Sequence, residues 1–150
     1  MSHTAHASRI LVGVDGSVSS IGALRGAAKI AGALGAPIEA ITTWEFPILI
    51  GEYYPADWSP EEDAKNIRDS AIAEAFPRGC PVVLTRTSVQ GSAARVLIEQ
   101  STDAYMLVLG SRGHGGFAGL LLGSVSAACA AHAHCPVLIM HDNSSTKNDN

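Results

Sequence analysis

Short apolar runs alternate along this chain with longer stretches in which apolar residues recur every three or four positions. Residues 9–14 form an apolar run rich in branched side chains and predict a strand. Over residues 17–34, Ile21, Leu24, Ala28, Ala31 and Leu34 fall on one side of a helix. Ser17 is placed to cap its start and Gly35 its end. Residues 37–43 predict a second strand. A second helix should start at Pro60, capped by Ser59 with acids in its first turn, and stop near Phe76, before Pro77 and Gly79. Strands follow at 81–87, 105–109 and 136–140, with helices at 92–101 and 124–133.

The resulting order is βαβαβαβαβ. Strands of four to seven apolar residues without alternation imply burial on both faces, as in a parallel sheet. Right-handed crossovers then place helices on both sides. The expectation is an α/β fold: a doubly wound, Rossmann-like, five-stranded parallel sheet spanning 9–141, after a frayed start at 1–8 and before a polar, disordered tail at 142–150. Such sheets bind ligands beyond the carboxyl ends of their strands. Asp15, Thr43 and Gly110 all fall at strand carboxyl ends in this arrangement.

The segment 44–60 stands apart. It holds three prolines, a glycine and most of the aromatic residues, and long connections of this kind are commonly functional or mobile.

Composition narrows the class. The 150 residues are 47% hydrophobic and 16% charged, which suits one well-filled domain. A net charge of −4 argues against nonspecific binding of nucleic acid or an anionic membrane. Cys80, Cys129 and Cys135 give no disulfide framework, no apolar run has spanning length, and the first residues lack a signal core. A cytoplasmic protein is expected.

The chemistry concentrates between Gly110 and Ser124. A strand, a glycine-rich loop and a helix start form an arrangement that holds phosphate, because glycine admits an anion close to the backbone and helix N-termini present free N–H groups. Gly110 would end the strand and Gly113 would let the backbone lie against sugar or phosphate. Gly123, Ser124 and Val125 would form the mouth of the last helix. The alternative is a flexible loop with Ser124 as a simple N-cap. The Gly-Lys-Ser/Thr ending of a Walker A loop is missing, and the first strand–turn–helix unit lacks the dinucleotide fingerprint. Asp15 could bind ribose hydroxyls or a metal, or form an Asx turn into the first helix.

The opening Ile10-Leu-Val-Gly-Val-Asp-Gly-Ser17 resembles that of universal stress protein domains. Their ATP-binding branch carries Gly-x2-Gly-x9-Gly-Ser/Thr, and this chain has Gly110-x2-Gly113-x9-Gly123-Ser124. Cys135-Pro-Val-Leu-Ile139 resembles the family's last strand. The similarity spans about residues 9–140 as one copy. It implies an adenine-nucleotide α-hydrolase-like fold with ATP across the strand ends. Asp15 would then lie at the ribose, with Mg²⁺ as a further ligand, Thr43 at adenine, and Gly110 against the ribose. Gly113, Gly123 and Ser124 would surround the phosphates. AMP and cyclic AMP remain alternatives. The resemblance also implies a homodimer through residues 136–140 and an unidentified regulatory protein partner.

Around this frame, Arg112 and His114 either reach phosphate or stand in solvent, and Ser126 either adds a phosphate contact or faces solvent. Trp44 either stacks on adenine or packs. His132, His134 and Cys135 lack a recognised zinc spacing and suit a helix C-terminus better. The leading expectation is an ATP-binding stress-response module acting as a nucleotide-dependent dimeric switch, rather than an enzyme. A slow ATPase or phosphate-transferring enzyme and a nucleotide-free structural dimer are the alternatives.

Overall fold

A computed structural model describes residues 9–48, 54–113 and 122–141. The expected frayed start at 1–8 and tail at 142–150 lie outside the described residues, as does His114.

The order is β1 (Ile10–Gly13), α1 (Val18–Leu34), β2 (Ile38–Trp44), α2 (Pro60–Ala75), β3 (Leu84–Gln90), α3 (Ala93–Gln100), β4 (Met106–Gly110), α4 (Ser124–His132) and β5 (Val137–Met140). A single 3-10 turn, Ser101–Asp103, links α3 to β4. The strands form one sheet in the order β3-β2-β1-β4-β5, parallel throughout. The α/β expectation is therefore met, with β1 at the centre, where Ile10 registers with both Ile38 and Met106.

Two cores cover the two faces, which is why the central strands read as unbroken apolar runs. Ile10 and Val12 pack with Leu24, Ala27 and Ala31 of α1 and Ala71 and Ile72 of α2. Leu11, on the opposite face, packs with Val96 and Leu97 of α3 and Cys129 of α4. The apolar side of α1 is broader than its spacing suggested, since Ala23 and Ala27 are buried as well. Leu34 departs from it and is 52% exposed, at the last turn before the left-handed Gly35.

The third strand is displaced from its expected position. Residues 81–83 precede it, and the strand is the polar stretch Leu84–Gln90. Among the described residues it is an outer strand with one neighbour and is only partly covered, so a polar sequence suffices there. Val83 is 71% exposed although its carbonyl accepts from the Ile38 N–H at 2.8 Å.

Arg9 clamps the amino ends of the strands. Its side chain is buried and donates to Glu39 Oε2 at 3.0 Å and to the Asp103 carbonyl at 2.8 Å. Charge is thereby satisfied at the end of the sheet opposite the cleft described next.

Candidate functional site

Where β1 sends its connection to β2 on one side and β4 lies on the other, the carboxyl ends of the strands open into a cleft of about 600 Å³. That volume lies within the ordinary range for small-molecule sites. Nine of the residues singled out from sequence line it: Asp15, Thr43, Gly110, Arg112, Gly113, Gly123, Ser124, Val125 and Ser126.

The turn after β1 fixes Asp15. Gly16 takes φ +84°, a conformation that suits glycine, and brings Ser17 back under the Asp15 carboxylate. The Ser17 N–H donates to Asp15 Oδ1 at 2.9 Å, and the Ser17 hydroxyl donates to the same oxygen at 2.5 Å. Ser17 also accepts from the Ser20 N–H at 3.2 Å, so it caps α1 as expected. The Asx-turn alternative for Asp15 is thus present, and it holds the carboxylate at the mouth of the cleft.

The loop after β4 is tied to α1. The Arg112 carbonyl accepts from the Ser19 hydroxyl, and the Ser17 hydroxyl, committed to Asp15, lies 3.3 Å from it. Gly110 lies hard against α1: a Cβ there would stand 2.7 Å from the Ser19 carbonyl carbon. The lack of a side chain at Gly110 therefore serves helix packing, a cause the spacing alone did not disclose. A Cβ on Gly113 would stand 2.5 Å from Asp15 Oδ2.

The cap of α4 is Gly123, with Ser124 as the first helical residue, so Ser124 is not the N-cap. Gly123 offers no capping side chain, in contrast to Ser17 on α1 and Ser59 on α2. Its carbonyl accepts from the Ala127 N–H at 2.9 Å. The first-turn N–H groups of residues 124–126 have no intrahelical acceptors, as at any helix start, and the helix dipole adds partial positive charge there.

Ser126 lines the cleft but does not face solvent. Its hydroxyl is buried and donates to the carbonyls of Ser111 at 2.9 Å and Gly123 at 3.1 Å. Together with the Gly123 N–H, which donates to the Ser111 carbonyl at 2.6 Å, it binds the two ends of the loop to each other. Its hydroxyl is a fastener of the cleft mouth.

The apolar wall went unnoticed in the sequence. Ile41 and Leu109 come from the sheet, Ala64 and Ile67 from α2, and Ala93 and Leu97 from α3. Ala64, Ile67 and Ala71 lie on one helical stripe; the first two reach past the sheet onto the cleft while Ala71 stays in the core. Trp44 does not line the cleft. It packs edge-on to Phe46, with ring centroids 5.7 Å apart. Among the described residues, no three His, Cys, Asp or Glu side chains are grouped to hold a metal, so His132, His134 and Cys135 form no such site. Among the same residues, no helix is long and apolar enough to cross a membrane.

Known proteins share this architecture. The model of the universal stress protein family matches residues 6–141. Universal stress protein Rv2623 of Mycobacterium tuberculosis is 34% identical over 134 residues, covering 89% of this chain and 45% of that protein. The chain thus spans about half the length of the curated relatives it matches. A universal stress protein solved in complex with cAMP is 31% identical, with a TM-score of 0.65 over 89% of this chain and 96% of that one. UspA from Lactobacillus plantarum, 20% identical with a TM-score of 0.66, covers 89% of this chain and 97% of its own, and shares the fold.

Proposed function

The chain belongs to the universal stress protein family, and from that premise we propose that it is a regulatory module that binds an adenine nucleotide in the cleft above β1 and β4. The observation that supports this most is convergence. Residues chosen for the chemistry of phosphate and ribose come from the turn after β1, the carboxyl-terminal ends of β2 and β4, the loop after β4 and the first turn of α4, and they line one cleft. The 31% identical relative solved with cAMP is consistent with that ligand class.

The phosphates would lie at the N–H groups of residues 124–126 and along Gly113, where charge meets the positive end of α4. The side chain of Arg112 adds a cation at the rim. Asp15, steadied by Ser17, would accept from ribose hydroxyls, and Thr43 would offer backbone groups to the base above the apolar wall of Ile41 and Leu97. ATP is the form we favour, with Mg²⁺ joining Asp15 and the phosphates. The ionisable groups that the described lining supplies are one acid and one base, Asp15 and Arg112, which suits binding of a charged ligand.

The nucleotide would act through a dimer formed along β5, an outer strand that among the described residues pairs only with β4. An apolar outer strand is prone to association. A partner protein would read the occupied state.

Calorimetric titration of the folded, ligand-free protein with ATP and Mg²⁺, beside AMP, cAMP and GTP, tests the reading. Saturable adenine-nucleotide binding with GTP weaker is expected. If no nucleotide binds, the site assignment fails. Sedimentation with and without ATP tests the dimer.

A further inference from the structure

Between β2 and the first turn of α2 the chain carries a second recess, built differently from the cleft. Over residues 44–63 there are six acids, Glu45, Glu52, Asp57, Glu61, Glu62 and Asp63, and no Lys, Arg or His. That local charge exceeds in magnitude the −4 of the whole chain. The same stretch holds five of the eight aromatic side chains, Trp44, Phe46, Tyr53, Tyr54 and Trp58.

Four of these aromatics form one assembly. Phe46 is the hub, edge-on to Trp44, Tyr54 and Trp58 with centroids 5.7, 5.4 and 6.1 Å away. Tyr54 and Trp58 stack at 5.2 Å and 24°. The assembly is anchored at both ends. Trp44 is the last residue of β2, and its carbonyl accepts from the Gly91 N–H at 2.9 Å. The Trp58 indole N–H donates to Asp63 Oδ2 on α2 at 2.9 Å.

The stacked pair, with Pro55 and Asp57, lines a recess of about 550 Å³. None of these four residues lines the main cleft. Lys65 pairs with Glu61 at 3.3 Å and reaches Glu62 at 3.9 Å, and Asp63 holds Trp58. Among the described residues, Glu45 and Asp57 have no ion-pair partner, and both are exposed.

We propose that this recess is a docking site for an arginine side chain within a basic segment of a partner protein. A guanidinium is planar, weakly hydrated and stacks on aromatic faces while donating to a carboxylate. Tyr54 and Trp58 supply the face, held by their edge-on contacts with Phe46 and by the Trp58–Asp63 hydrogen bond. Asp57 supplies the acceptor, and Glu45 and the first turn of α2 extend the negative field to neighbouring basic residues. An anionic membrane or a nucleic acid would be repelled by the same charges. A second copy of this chain offers no matching basic stretch, since its ten Lys and Arg residues are scattered.

Both tryptophans of the chain sit in this assembly, so indole fluorescence reads it directly. The full chain would be titrated with an acetylated, amidated octapeptide of alternating arginine and glycine. Companion peptides would carry lysine or the neutral isostere citrulline in place of arginine. Saturable quenching is expected with the arginine peptide, weaker binding with lysine, none with citrulline, and a loss of affinity as salt rises. Asp57→Asn and Tyr54→Ala should each weaken binding by about tenfold while the melting temperature stays close to the parent's. Equal binding of the citrulline peptide, or no change in both variants, would overturn the proposal. So would preferential quenching by phosphatidylserine vesicles, or self-association lost in the same variants. Repeating the titration in Gly113→Ala keeps the outcome separate from the nucleotide site.

Discussion

Gly113 and Asp15 meet face to face across the mouth of the cleft, so closely that a single added methyl on Gly113 would stand 2.5 Å from Asp15 Oδ2. The carboxylate cannot simply swing away, because Ser17 holds its other oxygen through both N–H and hydroxyl. Gly113→Ala should therefore distort the ligand side of the cleft. Both residues are exposed, so folding has little at stake. The expected outcome is a loss of about tenfold or more in nucleotide affinity, equivalent to about 1.4 kcal/mol of binding free energy. The melting temperature should move little. Calorimetry and thermal denaturation on the same sample check both halves.

Gly110 sets the opposite balance. Its missing Cβ is required by the backbone and Cβ of Ser19, which cannot yield without shifting α1. At Gly13 the nearest atoms are the ends of two leucine side chains, Leu109 Cδ2 at 2.6 Å and Leu97 Cδ1 at 3.1 Å. Those side chains can change rotamer. Gly110→Ala should destabilise by about 1–3 kcal/mol, and Gly13→Ala by less. Urea denaturation of both variants measures the order.

Ser126→Ala removes one hydroxyl that serves the carbonyls of Ser111 and Gly123. Losing the hydroxyl proton shared between the buried Ser111 carbonyl and the half-buried Gly123 carbonyl should cost about 1 kcal/mol of stability. It should also weaken nucleotide binding, because the two ends of the loop are no longer fastened together. Amide exchange at Gly123, whose N–H donates to the same Ser111 carbonyl, should speed up.

Cys129 gives the fold a pH dependence. Burial, with a smaller contribution from nearby Cys135, pushes its thiol from 9.0 up to about 11. The folded chain then keeps a proton that the unfolded chain releases. Stability is present in full below about pH 9 and falls as pH rises towards 11, by on the order of 3 kcal/mol for this group. Cys129→Ala should be less stable at neutral pH through the small cavity and should lose less between pH 9 and 11. Urea midpoints across that range test the difference in slope. At neutral pH, iodoacetamide should spare Cys129 until the protein is unfolded.

The sequence carried the site better than it carried the edges of the sheet. β1, β4 and the buried face of α1 were legible because burial on both sides leaves an unbroken apolar run, or a stripe at helical spacing. The third strand was misplaced because its apolar preface at 81–83 looks more like a buried strand than the polar Leu84–Gln90, whose outer position lowers the demand for apolar residues. The glycines and Asp15 were visible as chemistry at strand ends. The reason for Gly110 was not, since it depends on Ser19, ninety residues away in sequence and brought alongside by the β1–β4 pairing. The fastening role of Ser126 was hidden for the same reason: its acceptor at Ser111 is local only once the loop has closed. Ala64 and Ile67 carry no chemical signal in the sequence, and their place in the wall of the cleft follows from the packing of α2 beside the strand ends.

The most direct test of the central claim is an amide-resolved NMR titration of the full chain with ATP and Mg²⁺. Saturable shifts are expected that are largest at Gly113 and at residues 124–126, with smaller ones at Asp15 and Thr43 and little change at Tyr54–Trp58. Absence of saturable shifts, or their concentration away from the ends of β1, β2 and β4 and the start of α4, would contradict that claim.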